Sequence, residues 1–177
     1  MTEAQRKKRK MSSSTPEVLT AAVLTVSDSS ARSERPDLSG PAVVAILNKH
    51  SFAVDATEIV ADDQSAIQQA IIRLASKARL VVTTGGTGIA ERDVTPEATR
   101  AICDRLLEGV PERMRFEGSK KTPLAALSRG ICGVRGKVLI LNLPGSPRGA
   151  SESLEAVIDL LPHALALLSG NTKHTFP

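Results

Sequence analysis

Short apolar runs alternate along the chain with polar, periodic stretches, and this alternation predicts the order of elements. Residues 19–27 (LTAAVLTVS) are almost continuously apolar, which predicts a strand buried on both faces. Residues 28–38 are polar and include Pro36, so they read as a loop. A helix is expected to open at Ser39, Gly40 and Pro41, because an early helical proline lacks only an amide that would have no partner there. Its inward stripe is Val43, Val44, Ile46 and Leu47. Residues 52–60 read as a second strand. Asp62 or Asp63 then caps a helix that runs to about Ala78, with Ile67, Ile71, Ile72 and Leu74 on its inner side. A short apolar strand over residues 80–84 leads into Gly85, Gly86 and Gly88. The next helix is predicted to start at Thr95, Pro96 and Glu97, with Thr95 as the cap and an acid in the first turn.

Past Pro111 the pattern predicts a shorter amphipathic stretch and a loop over residues 117–123. Residues 131–134 and 137–143 suit a hairpin across Arg135 and Gly136. Residues 144–149 form a second glycine- and proline-containing loop. Residues 151–168 read as one long helix that Pro162 kinks or divides. Strands alternating with helices predict an α/β fold: an open, mostly parallel sheet with helices on both faces. Ligands of such sheets bind at the carboxyl ends of the strands. The loops leaving those ends carry Ser27 and Asp28, residues 85–93 and residues 144–149, with Asp62 and Asp63 at a further turn.

A length of 177 residues with 41% hydrophobic content suits one domain with an ordinary core. We expect that domain at residues 18–170, after a disordered basic tail at 1–17 and before an extension at 171–177. The net charge of +4 belongs to the tail. Five of the 23 basic and one of the 19 acidic residues fall in the first ten positions, so 18 of each sign remain in the body. A neutral body with three phenylalanines and no Trp or Tyr offers neither the basic face nor the stacking surface of a nucleic-acid binder. The basic run reads as a solvated tail, or as an upstream extension with Met11 as the start. No apolar run nears the roughly 20 residues that span a bilayer. No apolar segment follows the basic start as in a signal peptide. Cys103 and Cys132 lack metal-site spacing and read as ordinary thiols. A cytoplasmic location is the expectation.

The stretch TTGGTGIAERDVTPEAT over residues 83–99 carries the most chemistry. Glycines at a strand end let backbone amides approach an anion. Thr84 and Thr87 add hydroxyls, and a helix N-terminus follows. No Walker or dinucleotide fingerprint is present, and a plain tight turn fits these residues too. Asp93 lies between the glycines and the helix start. A carboxylate there needs a cation between it and a bound phosphate, and Mg²⁺ held by one or two carboxylates is the economical choice. Asp93 as a turn cap paired with Arg92 stands as the other reading. Asp62 and Asp63 form a second acidic corner, readable as caps or as ligands. In the loop 144–149, Pro144, Gly145 and Ser146 suit a polar ligand edge, and Arg148 suits a phosphate.

The chain resembles the MogA/MoaB family. The likeness covers most of residues 19–168 and rests on ordered motifs: LTVSD at 24–28, SGP at 39–41, VADDQ at 60–64, GGTG with RDVTPEAT, LSR at 127–129 and LNLPGSP at 141–147. It implies a three-layer α/β/α molybdopterin-binding fold, commonly trimeric. It also implies an enzyme that transfers AMP from Mg·ATP onto the terminal phosphate of molybdopterin and releases pyrophosphate. The family's two essential aspartates map onto Asp62 and Asp93, which become the candidate catalytic and Mg²⁺-binding residues. Ser27, Asp28, Thr84, Gly85, Gly86, Thr87 and Gly88 are candidate substrate contacts. So are Ser119, Lys120, Pro144, Gly145, Ser146 and Arg148. The implied partners are molybdopterin, ATP, two further copies of the chain, and a molybdenum-insertion protein that takes the product. A catalytically silent molybdopterin-binding protein of the same family is the alternative, and the intact RDVTPEAT argues against it.

Overall fold

A computed structural model describes residues 18–171; the expected tail and most of the expected C-terminal extension lie outside them. Six strands form one sheet in the order β2-β1-β3-β6-β5-β4. They are β1 (Leu19–Val26), β2 (Phe52–Val60), β3 (Leu80–Thr84), β4 (Arg105–Leu106), β5 (Cys132–Arg135) and β6 (Val138–Leu143). β1, β2, β3 and β6 run parallel. β5 and β4 close one edge antiparallel. The mostly parallel α/β sheet expected from the alternation is present.

Side chains of the central strands alternate between two cores, as a period of two requires. Ala21, Val23, Leu80, Val82, Leu139 and Leu141 point to one face. There they meet α2 (Ser39–Lys49), α5 (Gly109–Ser119), α6 (Pro147–Glu155) and α7 (Leu161–Leu168) through Val43, Leu47, Met114, Leu154 and Leu161. Ala22, Leu24, Val81 and Ile140 point to the other face. They meet α3 (Gln64–Ala75) and α4 (Thr95–Ile102) through Ile67, Ile71, Leu74 and Ala98. Strands buried on both sides explain the unbroken apolar runs.

A small polar cluster sits between the layers, centred on Asn142. Asn142 on β6 is fully buried. Its amide donates to Thr83 Oγ1 at 3.0 Å and Thr99 Oγ1 at 2.9 Å, and its carbonyl oxygen accepts from the Ile131 N–H at 3.3 Å. A buried amide with partners on β3, α4 and the start of the hairpin fixes the seating of α4 on the sheet.

Several local expectations need correction. Residues 28–38 are not all loop, because Asp28–Ala31 form a one-turn helix, α1, with the Ser27 hydroxyl accepting from the Ser30 N–H. Ile72 is 41% exposed. The inward positions are 67, 70, 71 and 74, and residue 72 lies about 100° round the helix from its neighbour Ile71. Helix α3 stops at Ala75, short of Ala78. Thr95 is not a cap: Val94 precedes the helix, and the Thr95 hydroxyl turns back to donate to the Gly85 carbonyl at 2.9 Å. The loop expected at 117–123 is shorter, because α5 runs to Ser119 and a 3₁₀ turn, Pro123–Leu127, starts at its far end. The last long helix is two, α6 and α7, and α6 starts at Pro147 inside the expected loop. Pro162 sits in the first turn of α7, where its missing amide costs nothing. Strand β4 was not legible, having two residues and no periodicity to show.

The crossovers place the site. The chain leaves β1 for α2 on one face, leaves β3 for α4 on the opposite face, and leaves β6 for α6 on the first face again. The connection after β3 thus diverges from both neighbours, and each divergence opens a crevice at the carboxyl ends.

Candidate functional site

The two crevices beside β3 differ in chemistry. Between β1 and β3 lies a polar basin of about 380 Å³, walled by Ser27, Asp62, Gly85, Gly86, Arg92 and Asp93. Between β3 and β6 lies an apolar basin of about 430 Å³, walled by Thr87, Pro111, Met114, Leu124, Leu127 and Pro144. Gly145 and Ser146 line both, so the basins adjoin there.

The glycine turn is built for close backbone approach. Gly85 and Gly86 have φ of 105° and 64°, a region that side chains avoid. A Cβ on Gly85 would lie 2.1 Å from the Val26 carbonyl oxygen, and one on Gly145 would lie 3.2 Å from Gly85 Cα. The Gly85 N–H donates to Leu143 O at 3.1 Å, and the buried Thr84 hydroxyl donates to Pro144 O at 2.7 Å. These two donors, expected to face an anion, instead fasten the end of β3 to the end of β6 and to the first residue after it. Thr87 lines the apolar basin, and its carbonyl accepts from the Arg129 N–H at 2.9 Å. Gly88 is packed by the Asp93 carboxylate, whose oxygen lies 2.7 Å from where a Cβ would be.

The acidic corner resolves into two roles. Asp63 caps α3, accepting from the Ala66 N–H at 2.8 Å. Asp62 turns toward the basin and clasps Asp28. The Asp28 N–H donates to Asp62 Oδ2 and the Asp62 N–H donates to Asp28 Oδ1, each at 3.0 Å. Burial pushes the Asp62 carboxyl up. The Asp28 N–H opposes that, the charges of Asp28 and Asp93 add to it, and Arg92 pulls the other way. A carboxyl raised above its unfolded value is easier to keep protonated in the fold. Its contribution to stability is present below the unfolded pKa and is lost as pH rises through the folded one. Once ionised, the Asp62 carboxylate is a charge held at some cost, which a bound cation would offset. Asp93 accepts from the Ala90 N–H at 3.0 Å through Oδ2 and borders the same basin.

Not every expected contact comes to the site. Ser119 and Lys120 end α5 outside both basins; Lys120 pairs with Glu117 at 2.7 Å and lies over the Phe116 ring. Arg148 is 81% exposed and pairs with Glu152 at 3.0 Å. Basic side chains at loop ends are as easily engaged by a neighbouring glutamate as by a ligand. Ser146 is present at the junction, as the cap of α6, accepting from the Gly149 N–H at 3.1 Å. Sequence reasoning missed Asp37, which lines the polar basin and accepts from Thr25 Oγ1 at 2.6 Å and the Gly40 N–H at 3.0 Å. An acid three residues before the glycine of a helix start was the available signal. It also missed Arg35 on the polar rim and Met114 and Leu124 in the apolar basin, which no motif marks, and Leu127, which only the LSR motif touches.

The donors facing the polar basin are oxygens. Among the described residues no group of three or more His, Cys, Asp or Glu side chains forms a cage. Carboxylates on two facing loops, with room for phosphate oxygens and water, fit a hard cation such as Mg²⁺. The cysteines take no part. They are free, and burial pushes the thiols of Cys103 and Cys132 up to about 11 and about 12, so neither is a nucleophile near neutral pH.

Residues 22–163 match the family described as "Probable molybdopterin binding domain". The molybdopterin adenylyltransferase of Helicobacter pylori (strain J99) is 42% identical over 153 residues, covering 84% of this chain and 87% of the relative. The molybdopterin adenylyltransferase of Escherichia coli K12 is 40% identical over 135 residues, covering 68% and 69%. The crystal structure of the molybdopterin biosynthesis enzyme MoaB from Thermus thermophilus superposes with a TM-score of 0.82 at 51% identity. It covers 86% of this chain and 97% of that one.

Proposed function

The chain belongs to the molybdopterin-binding domain family of molybdenum cofactor biosynthesis, and on that premise we propose that it is a molybdopterin adenylyltransferase. The observation that carries the reading is the pair of unlike basins meeting at Gly145 and Ser146. The apolar basin suits the flat pterin, held against Met114 and Leu127. From there the terminal phosphate of molybdopterin reaches the junction. The polar basin suits the triphosphate of ATP. A phosphate oxygen of molybdopterin forms a bond to the α-phosphorus of ATP, the bond from that phosphorus to the bridging oxygen breaks, and pyrophosphate leaves. No protein nucleophile is required; position and charge neutralisation carry the step.

The residues divide that work. Asp62 and Asp93 would hold Mg²⁺ from facing loops. When bound, the cation supplies positive charge between two polyanions. The Asp28 N–H keeps the Asp62 carboxylate aimed across the basin. The glycine turn brings phosphate groups within reach of the strand ends without a side chain between. Arg92 and Arg35, both on the polar rim, offset the charge of the triphosphate.

Incubating the purified protein with molybdopterin and Mg·ATP should yield adenylylated molybdopterin and pyrophosphate in equal amounts. Tight molybdopterin binding without either product would instead identify the silent binding member of the family.

The reading extends to assembly and location. A homotrimer is expected from the likeness, and a body with balanced charge puts no large repulsion against self-association. Sedimentation at micromolar concentration should give about three times the 18.7 kDa chain mass; a monomer throughout would remove this part. A cytoplasmic place of work is part of the same reading. Among the described residues no helix is long and apolar enough to cross a membrane. The product would pass to a molybdenum-insertion protein.

A further inference from the structure

We infer that Arg129 is a positioning residue for adenylyl transfer, holding the loop between β3 and α4 so that Asp93 faces the polar basin. The inference rests on the function proposed above. Arg129 lies on the strap between the 3₁₀ turn and β5, and it lines neither basin.

Its contacts nonetheless span the whole loop. The backbone N–H donates to Thr87 O at 2.9 Å, Nε donates to Gly88 O at 2.7 Å, and a terminal N–H donates to Asp93 O at 2.5 Å. The guanidinium also pairs with the Glu97 carboxylate in the first turn of α4. One side chain thereby grips the loop at its entry, at Asp93 and at its exit.

The loop has little else to hold it. The Asp93 N–H donates to Ala90 O at 2.9 Å and its carboxylate accepts from the Ala90 N–H, contacts that travel with the loop. Thr95 pins the base through Gly85 and Gly86. Among the described residues, Arg129 makes the only hydrogen bonds that tie residues 88–93 to the rest of the domain.

The strap matters for a second reason. Ser128 and Gly130, on either side of Arg129, line the apolar basin. Arg115 on α5 donates to both of their carbonyls, at 3.4 and 3.3 Å. Arg129 therefore ties Asp93 to the wall against which the pterin would lie, and sets the spacing between the acid and that ligand. A planar fork meeting three acceptors is something a lysine ammonium cannot reproduce.

Arg129→Lys keeps the charge and loses the fork. We expect kcat to fall about 100-fold, as a misplacement near 1 Å can produce, with the KM for molybdopterin changed by less than about twofold. The thermal midpoint should stay close to that of the unsubstituted protein. Amide exchange should quicken over residues 88–93 while the central strands keep their protection. Glu97→Gln, which weakens only the exit contact, should lose less in the same direction. An unchanged kcat in Arg129→Lys overturns the inference. So does a loss of rate that merely tracks a smaller folded fraction, with protection lost across the whole sheet. If the unsubstituted protein binds both substrates yet forms no product, the proposed function falls first and takes this inference with it.

Discussion

Asp93→Asn should lower the rate of adenylyl transfer by about 100- to 1,000-fold, the usual loss when one preorganised electrostatic contact is removed. The substitution is close to isosteric, and an asparagine oxygen can still accept from the Ala90 N–H, the contact that Asp93 makes through Oδ2. The turn should therefore survive. What disappears is the charge facing Asp62 across the polar basin, and with it half of the expected cation site. Molybdopterin binding, assigned to the other basin, should change little. If Asp93 served only as a turn cap, the substitution would cost about 1 kcal/mol of stability or less and leave the rate intact. Rate and thermal stability measured on one preparation separate these outcomes, and full turnover in Asp93→Asn would remove the residue from the mechanism.

The second large effect is expected at Gly85. Gly85→Ala should destabilise the fold by more than about 3 kcal/mol. Two costs combine there. A φ of 105° is strained for any side chain, and the new Cβ would stand 2.1 Å from the backbone oxygen of Val26. Neither atom steps aside easily, because Val26 ends β1 and Gly85 follows β3 directly, with its N–H fixed to Leu143 O. Gly136 is the control: its φ is 57° and nothing lies within 4 Å of a Cβ, so Gly136→Ala should cost only about 1 kcal/mol. Urea unfolding of the two variants compares them directly. Equal, small losses would mean that the turn after β3 relaxes far more easily than its geometry implies.

What could be read in advance followed from periodicity and from residue type. The strands at 52–60 and 80–84 match their expected limits because polar turns bound an alternating segment in the first and an apolar run in the second. Ile72 went wrong because an isoleucine beside a correct stripe looks like part of it. Thr95 went wrong because a threonine before Pro96 suits a cap, and nothing local tells that its hydroxyl will turn to Gly85. The acids at 62 and 63 could not be told apart in sequence; the backbone sends one to α3 and the other to the basin. The charges of Lys120 and Arg148 suggest ligand contacts, but local glutamates hold both. Only one side of the apolar basin was legible, through the candidate contacts Thr87, Gly88, Pro144, Gly145 and Ser146. The other side comes from α5 and the 3₁₀ turn, segments that share no motif. Arg129 could be noticed only as part of LSR, and its role depends on carbonyls about 40 residues away in sequence.

The crossovers flanking β3 also bear on how the protein reaches its working state. β3 pairs with β6 through Thr83 and Asn142, among others, and those residues are 59 apart in sequence. That pairing closes a long loop, whose entropic cost grows with the logarithm of its length, and parallel pairing of distant segments folds slowly. A growing chain that ends before residue 138 has β1, β2 and β3 but no β6, so it has neither the apolar crevice nor the Gly145 junction. Binding competence should thus come in one late step, after the last parallel strand docks, and not build up as residues are added. A ligand that spans both crevices would favour the finished sheet by mass action, so added substrate should raise the thermal midpoint as well as feed turnover.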